Sequence, residues 1–266
     1  MAVKNIIVLI KQVPNTNEIK IDPVTGTLIR QGIPSIMNPD DKHALEEALV
    51  LKGKTGAKVT VITMGPPQAE TILIEALAMG ADKAVHISDR LFGGADTLAT
   101  SYTLMSAIKK LGEFDIVLAG REAIDGDTAQ VGPQIAEQLG IPQVTYVKSV
   151  EINGNKLKVQ RALEDGYYDI EVETPVLLTA IKDLNKPRYP HIGQMFDAFN
   201  REGKELILWG AKDLEVETER LGLKGSPTQV FKSFSPTIKR SGEILGSSVD
   251  ESVKKLKTRL KERHLI

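Results

Sequence analysis

Short β-branched runs alternate with stretches of helical period over the first two-thirds of the chain. That alternation restricts the fold more than any other feature. The runs are Ile6–Ile10, Lys58–Thr63, Ala84–Ile87 and Asp115–Ala119. Each is short and rich in Ile, Val or Ala, the pattern of a parallel strand buried on both faces. Between them, Asp40–Lys54 carries Ala44, Leu45, Ala48, Leu49 and Leu51 at helical spacing. Gln68–Met79 repeats the pattern, as do Thr97–Leu111 and Thr128–Leu139. Strands separated by helices of about a dozen residues predict a parallel sheet with crossover helices, an α/β fold.

The pattern changes after Pro142. Val144–Ile152, Lys156–Ala162 and Tyr168–Val172 are strand-like, and Asn153-Gly154-Asn155 is a hairpin signal, so a small antiparallel region is expected. Val176–Ala180 is expected to rejoin the main sheet. Residues 1–182 therefore read as one α/β domain. Residues 183–248 contain Pro187, Pro190, Pro227 and Pro236 with few periodic runs, and read as an extended arm ordered against a partner. A last helix, Asp250–Arg263, puts Val253, Leu256 and Leu260 on one face and also needs a cover.

Composition removes whole classes of chemistry. Lys plus Arg is 34 and Asp plus Glu is 35, so no charge excess draws nucleic acid or an anionic membrane. Cysteine is absent, which excludes Cys-ligated iron–sulfur clusters, thiolate zinc sites and a Cys nucleophile. His43, His86, His191 and His264 lack metal spacing, and no metal is expected. If electrons are handled, an organic cofactor carries them. The apolar run before Lys11 is too short for a signal segment or a membrane span, and no other run approaches spanning length. The expectation is a soluble, cytoplasmic protein without membrane insertion.

Ligands of open parallel sheets bind beyond the carboxyl ends of the strands. Two loops there look like anion cradles. Gly93-Gly94 precedes Asp96-Thr97, and Gly126 precedes Asp127-Thr128, each at an expected helix start where free N–H groups favour phosphate. Either loop alone is better read as plain helix capping. Two such loops after consecutive strands favour a nucleotide. There is no GxGxxG, no GxxxxGK[ST] and no GxSxG. Asp40-Asp41 and the pair Asp125 and Asp127 sit at helix starts, where acids are favoured without any metal. No hydrolase set is present, and no catalytic side chain is assigned.

Several long motifs stand in a fixed order: VLIKQVP, IMNPDDKHALEEAL, VTVITMGPP, EALAMGADKAVHISDR, AGREAIDGDTAQVGPQIAEQLGIPQV and PRYPHIG. With them the whole chain resembles the beta subunit of electron transfer flavoprotein. VQRALEDGYYDIEVETPVLLT is similar to that family's signature region, although Tyr167-Tyr168 stand where acidic or Gly residues are expected. The resemblance implies a Rossmann-like fold of the adenine-nucleotide alpha-hydrolase type. It also implies an alpha-subunit partner with a mobile flavin domain, a beta arm over residues 183–266 that wraps it, and a docking dehydrogenase of acyl-CoA or lactate type.

The family has an AMP-holding form and an electron-bifurcating form in which the same pocket holds a second FAD reduced by NADH. SDRLFGGADTLATS, GREAIDGDTAQVGPQIAE and the Gly225–Pro236 segment are similar to the bifurcating form. That likeness implies FAD, with NADH as donor and ferredoxin or flavodoxin as one acceptor. It implies pocket roles for Val13, Asn38, Met64 and Gly65. It places Asp96, Thr97 and Thr100 at the pyrophosphate and ribityl chain. Gly120, Arg121 and Asp125 would stand beside a phosphate cradle of Asp127, Thr128, Ala129, Gln130, Val131 and Gly132, with Arg121 as flavin-tuning charge or anion clamp. Ile192, Met195 and Phe196 are the expected dehydrogenase contacts. Asn15 and Thr16 replace an aromatic that ordinary members place over the alpha-subunit flavin. The alternatives are an AMP-holding electron carrier, an ATP-binding α/β protein of the stress-protein kind, disfavoured by the lack of an SGGxDS loop, and a purely structural scaffold.

Overall fold

The computed structural model describes residues 3–15, 34–200, 203, 205–231, 242, 244–246 and 248–266. Thr16 and residues 232–236 of the Gly225–Pro236 segment, with residues 201, 202, 204, 237–241, 243 and 247 of the expected arm, lie outside the described residues.

Two units divide the chain: residues 1–20 with 29–231, and residues 21–28 with 232–266. In the first, β1 (Asn5–Leu9), β2 (Gln12–Pro14), β3 (Ser35–Met37), α1 (Pro39–Thr55), β4 (Lys58–Met64) and α2 (Glu70–Met79) come first. β5 (Lys83–Ile87), α3 (Thr97–Leu111), β6 (Ile116–Gly120) and α4 (Val131–Leu139) follow. Then come β7 (Gln143–Asn153), β8 (Lys156–Ala162), β9 (Tyr167–Glu173), β10 (Val176–Ala180), α5 (Ile192–Asn200) and β11 (Glu205–Trp209).

The main sheet has the order β11-β5-β4-β1-β6-β10-β7-β8-β9. From β11 to β7 all pairings are parallel, and β7-β8 and β8-β9 are antiparallel. The expected α/β fold, the hairpin region and the return of Val176–Ala180 to the sheet are all present. β2 and β3 form a separate antiparallel pair, which the sequence reading did not include.

Strand alternation divides the core. Ile6 and Val8 of β1 join one apolar cluster with Leu45 and Leu49 of α1 and Leu73 and Leu77 of α2. Ile7 and Leu9 join the other with Met105 and Ile108 of α3 and Ile135 of α4. Successive side chains on a strand point to opposite faces, so a β-branched run with no polar member must be covered on both. The order reverses at β1, whose neighbours are β4 and β6. That makes the end of β1 the topological switch point, where such folds open a crevice.

Residues 183–231 are more regular than the sequence predicts. β11 adds to the sheet edge beside β5, and α5 lies against α2 with Ala198 buried. Both belong to the first unit. In the second unit α6 (Val249–Glu262) starts at Ser248, whose Oγ accepts the Glu251 N–H, and exposes Val253 and Leu256.

Candidate functional site

The crevice floor is built around Asp41, in the first turn of α1. Its Oδ2 accepts the Lys11 N–H at 2.7 Å, and its Oδ1 accepts the Gly120 N–H at 3.0 Å. One buried carboxylate thus ties the carboxyl ends of β1 and β6 to one helix start. Burial pushes its pKa up to about 7, against the hydrogen bonds that favour the ion. The folded chain therefore keeps a proton on Asp41 where the unfolded chain has released it. Between about pH 4 and about pH 7 this group makes stability fall as pH rises. The wild-type minus Asp41→Asn difference in urea midpoint is expected to decline across that window. A flat difference would show that Asp41 is ionised throughout.

Above this floor runs the segment from Arg121 to Gln130. Asn38 is fully buried: its Nδ2 donates to the Glu122 carbonyl at 2.8 Å and its Oδ1 accepts the Ile124 N–H at 3.1 Å. Asn38 is therefore a brace for the loop. Asp125 is paired with Lys11 Nζ at 2.6 Å. The Arg121 guanidinium lies against Glu122, with Nε 3.5 Å from Asp40 Oδ2, so two carboxylates already share its charge.

The loop's backbone is its most informative part. Asp127 and Ala129 have φ of 45° and 52°, two non-glycine residues in the left-handed region on either side of Thr128. Each costs about 1–2 kcal/mol relative to a relaxed backbone. Strain of this kind orients successive N–H groups into a concave anion site. Among the described residues no protein acceptor takes the N–H of Thr128, Ala129, Gln130, Val131 or Gly132. The helix expected from Thr128 begins at Val131. Its N-cap is Gln130, with no side-chain cap bond, so Asp127 and Thr128 do not cap α4.

The other glycine loop differs from its expected role. Gly93 N–H donates to Arg90, the Gly93 carbonyl accepts Leu223 N–H at 2.9 Å, and a Cβ on Gly94 would stand 3.2 Å from Leu223 Cβ. These glycines admit the 222–226 turn. The Asp96 Oδ1 caps α3 by accepting from Leu98 and Ala99, and its Oδ2 accepts both the Thr228 N–H and its Oγ1. Burial acts to raise its pKa, but those N–H and hydroxyl donors outweigh it and the net shift is downward. Asp96 is thus committed within the chain.

Thr97 does join the second loop. Its Oγ1 donates to Gln130 Oε1 at 3.0 Å and accepts from Gln134 Nε2 at 3.3 Å. One turn on, Gln138 Nε2 donates to Ser101 Oγ at 2.8 Å. The starts of α3 and α4 are thereby held side by side, with Thr100 half-buried on the next turn of α3. Asp41 and Gln134 carry much of this arrangement, and sequence reasoning assigned neither a role. Asp41 looked like an ordinary helix-start acid. The spacing of Gln130, Gln134 and Gln138 was the available signal for the ladder.

Three expected pocket residues have plainer surroundings. Val13 is buried on β2 opposite Ile36. Met64 ends β4 and packs against the α3 side of the core. Gly65 lets Ala69 approach, since a Cβ there would lie 3.0 Å from Ala69 Cβ, and its carbonyl contacts His86 Nε2 at 3.1 Å. Ile192, Met195 and Phe196 stand on α5, 82%, 49% and 68% exposed. The preceding segment is fixed by Arg188, which reaches Glu46 through Nε at 2.8 Å and Nη2 at 2.9 Å.

The fold is a doubly wound sheet that carries, among the described residues, a run of backbone N–H groups without a protein acceptor beside its switch point. The family model for the electron transfer flavoprotein domain matches residues 25–205. The chain belongs to the electron transfer flavoprotein family. It is 62% identical to the electron transfer flavoprotein subunit beta of Clostridium acetobutylicum, over 98% of this chain and 100% of that one. It is 63% identical to the subunit of the same name from Thermoanaerobacterium thermosaccharolyticum, with the same coverage. It is 55% identical to the caffeyl-CoA reductase-Etf complex subunit CarD of Acetobacterium woodii, over 98% and 99%. Among the described residues no helix is long and apolar enough to cross a membrane.

Proposed function

We propose that this chain is the beta subunit of an electron-bifurcating flavoprotein. In this reading it holds FAD in the crevice, receives hydride from NADH, and passes electrons by two routes. One route leads to ferredoxin or flavodoxin, and the other to the FAD of an alpha subunit and then to a dehydrogenase of acyl-CoA or lactate type. The observation that carries the reading is the run of five N–H groups, Thr128–Gly132, without a protein acceptor among the described residues, beside the Thr97 end of α3. A run of five N–H groups at one helix start suits a phosphate group. Bound FAD would supply the hydride and one-electron chemistry; the protein supplies position and electrostatics. Thr128 to Gly132 would hold phosphate through backbone N–H. Thr100 would offer its hydroxyl, while Thr97, whose Oγ1 is bonded to Gln130 and Gln134, would hold the cradle in place. Arg121, already shared by Asp40 and Glu122, would leave little net charge for tuning. No side chain is assigned proton transfer.

Residues 183–266 would extend contacts to the alpha subunit, with Ile192, Met195 and Phe196 receiving the dehydrogenase. The Acetobacterium relative's place in a caffeyl-CoA reductase–Etf complex supports an acyl-CoA-type partner. The test is the nucleotide content of the complex purified with its alpha partner and then denatured. Two FAD per heterodimer without AMP is the expected result, followed by bleaching of both flavins with NADH. One FAD and one AMP would make the protein a simple electron carrier and end the NADH reading.

A further inference from the structure

One stripe of α1 is both polar and buried. His43, Glu46 and Glu47 stand at i, i+3 and i+4 on the helix, and the two glutamates are each only 5% exposed. The segment just before α5 answers them. Arg188 donates to the Glu46 carboxylate through its backbone N–H at 3.0 Å, Nε at 2.8 Å and Nη2 at 2.9 Å. Asn185 Nδ2 donates to Glu47 Oε2 at 3.1 Å and to the His43 carbonyl at 3.0 Å. Asn185 Oδ1 lies 3.1 Å from His43 Nδ1.

Apolar side chains would cover this stripe at less cost, because desolvating two adjacent carboxylates is expensive even when they are paired. What the ion pair adds is register. Apolar contacts slide, whereas a guanidinium forked onto a carboxylate fits in one place. The element that follows is poorly fixed by its own packing. α5 has nine residues and buries only Ala198, against α2. A helix of that length does not hold itself together in water. Its lead-in gains one backbone bond to α2, from the His191 N–H to the Ala78 carbonyl at 3.3 Å. Yet α5 presents Ile192, Met195, Phe196 and Phe199 to solvent at i, i+3, i+4 and i+7, one continuous apolar face.

We infer that Arg188 and Glu46, with Asn185 beside them, are positioning residues: their clasp sets the register of the α5 apolar face on α1, and so the geometry in which a dehydrogenase is received. The same helix ties the ends of β1 and β6 through Asp41. One element of 17 residues therefore fixes the docking face relative to the crevice. The inference rests on the docking role proposed above for Ile192, Met195 and Phe196, and it adds the residues that hold that face in place.

The test uses the complex with its alpha subunit. Its flavin is reduced by an acyl-CoA through a catalytic amount of a short-chain acyl-CoA dehydrogenase. Flavin absorbance at rising complex concentration gives kcat and KM for the complex. Arg188→Gln leaves Glu46 buried without its cation, so both melting temperature and docking are expected to worsen. Arg188→Gln with Glu46→Gln removes that lone charge, and most of the melting temperature is expected to return. KM is expected to stay raised about tenfold or more, because docking must now also order the face. Its kcat and released nucleotide are expected to match wild type. Arg188→Lys keeps the charge without the planar fork, and is expected to melt as wild type with a raised KM. Wild-type KM in the double variant would overturn the inference, as would a KM that recovers in step with the melting temperature. Ile192→Ala reads the docking role separately. A raised KM there beside a wild-type KM in the double variant would sink the clasp alone. A wild-type KM in Ile192→Ala, or a wild-type complex that takes no electrons from the dehydrogenase, would sink the docking role and the clasp with it.

Discussion

A complex carrying Thr128→Glu is expected to purify with its alpha-subunit flavin but without the nucleotide of this chain. The side chain at 128 is exposed, so the fold has no reason to reject a carboxylate. Its backbone N–H begins the free run, between the left-handed Asp127 and Ala129. A phosphate held there would face the new charge at about 4 Å, worth about 4 kcal/mol at an effective dielectric of about 20. Even after partial screening, affinity is expected to fall about 100-fold or more. Thr128→Val removes the hydroxyl, leaves the N–H groups, and is expected to keep the nucleotide. Nucleotide released from equal amounts of each complex, quantified by absorbance after separation, reads the outcome. Full retention in Thr128→Glu would remove the 128–132 segment from the site.

Much of the fold was legible because it rests on local periodicity. Each β-branched run became a strand within one or two residues, and four of the five expected helices keep their span closely. What was not legible depends on contacts distant in sequence. β11 is the five-residue run ELILW at a sheet edge, and its half-covered faces give neither the alternation of an exposed strand nor the continuous run of a buried one. Gly93-Gly94 has the composition of a phosphate turn, yet its small size serves the approach of Leu223, 129 positions later in the chain counted from Gly94. The start of α4 was misplaced by three residues because Ala129 takes a positive φ, for which alanine gives no signal. Asp41 carries no mark in sequence either, since an acid in the first turn of a helix is ordinary. Its importance appears only when β1 and β6 meet above it.

The largest stability effect is expected at that meeting point. Gly120 ends β6 between Ala180 of β10 and the first turn of α1. A Cβ there would run into the Asp41 carboxylate and lie 2.7 Å from Asp41 N and 2.8 Å from Asp40 C. Two of these atoms are helix backbone, which cannot rotate away. Gly120→Ala must therefore push α1 off the strand ends, opening the Asp41 bonds to Lys11 and Gly120. Asn38 immediately precedes the same helix, so its clasp on Glu122 and Ile124 is loosened too. The expected loss is about 3 kcal/mol or more, at the upper end of overpacking costs, and the entropic gain of alanine over glycine, about 0.4–1 kcal/mol, offsets little of it. Nucleotide content should fall with it, because the loop that carries the free N–H run hangs from those bonds. Gly132→Ala is the control. Its Cβ would meet Thr179 Cγ2 at 2.9 Å and Leu177 Cδ2 at 3.4 Å, both side-chain methyl groups that can yield. Its cost is expected to be about 1 kcal/mol. Urea midpoints of the two variants decide the matter. If Gly120→Ala unfolds no earlier than Gly132→Ala, the strand ends are not clamped by α1, and the crevice floor is held in some other way.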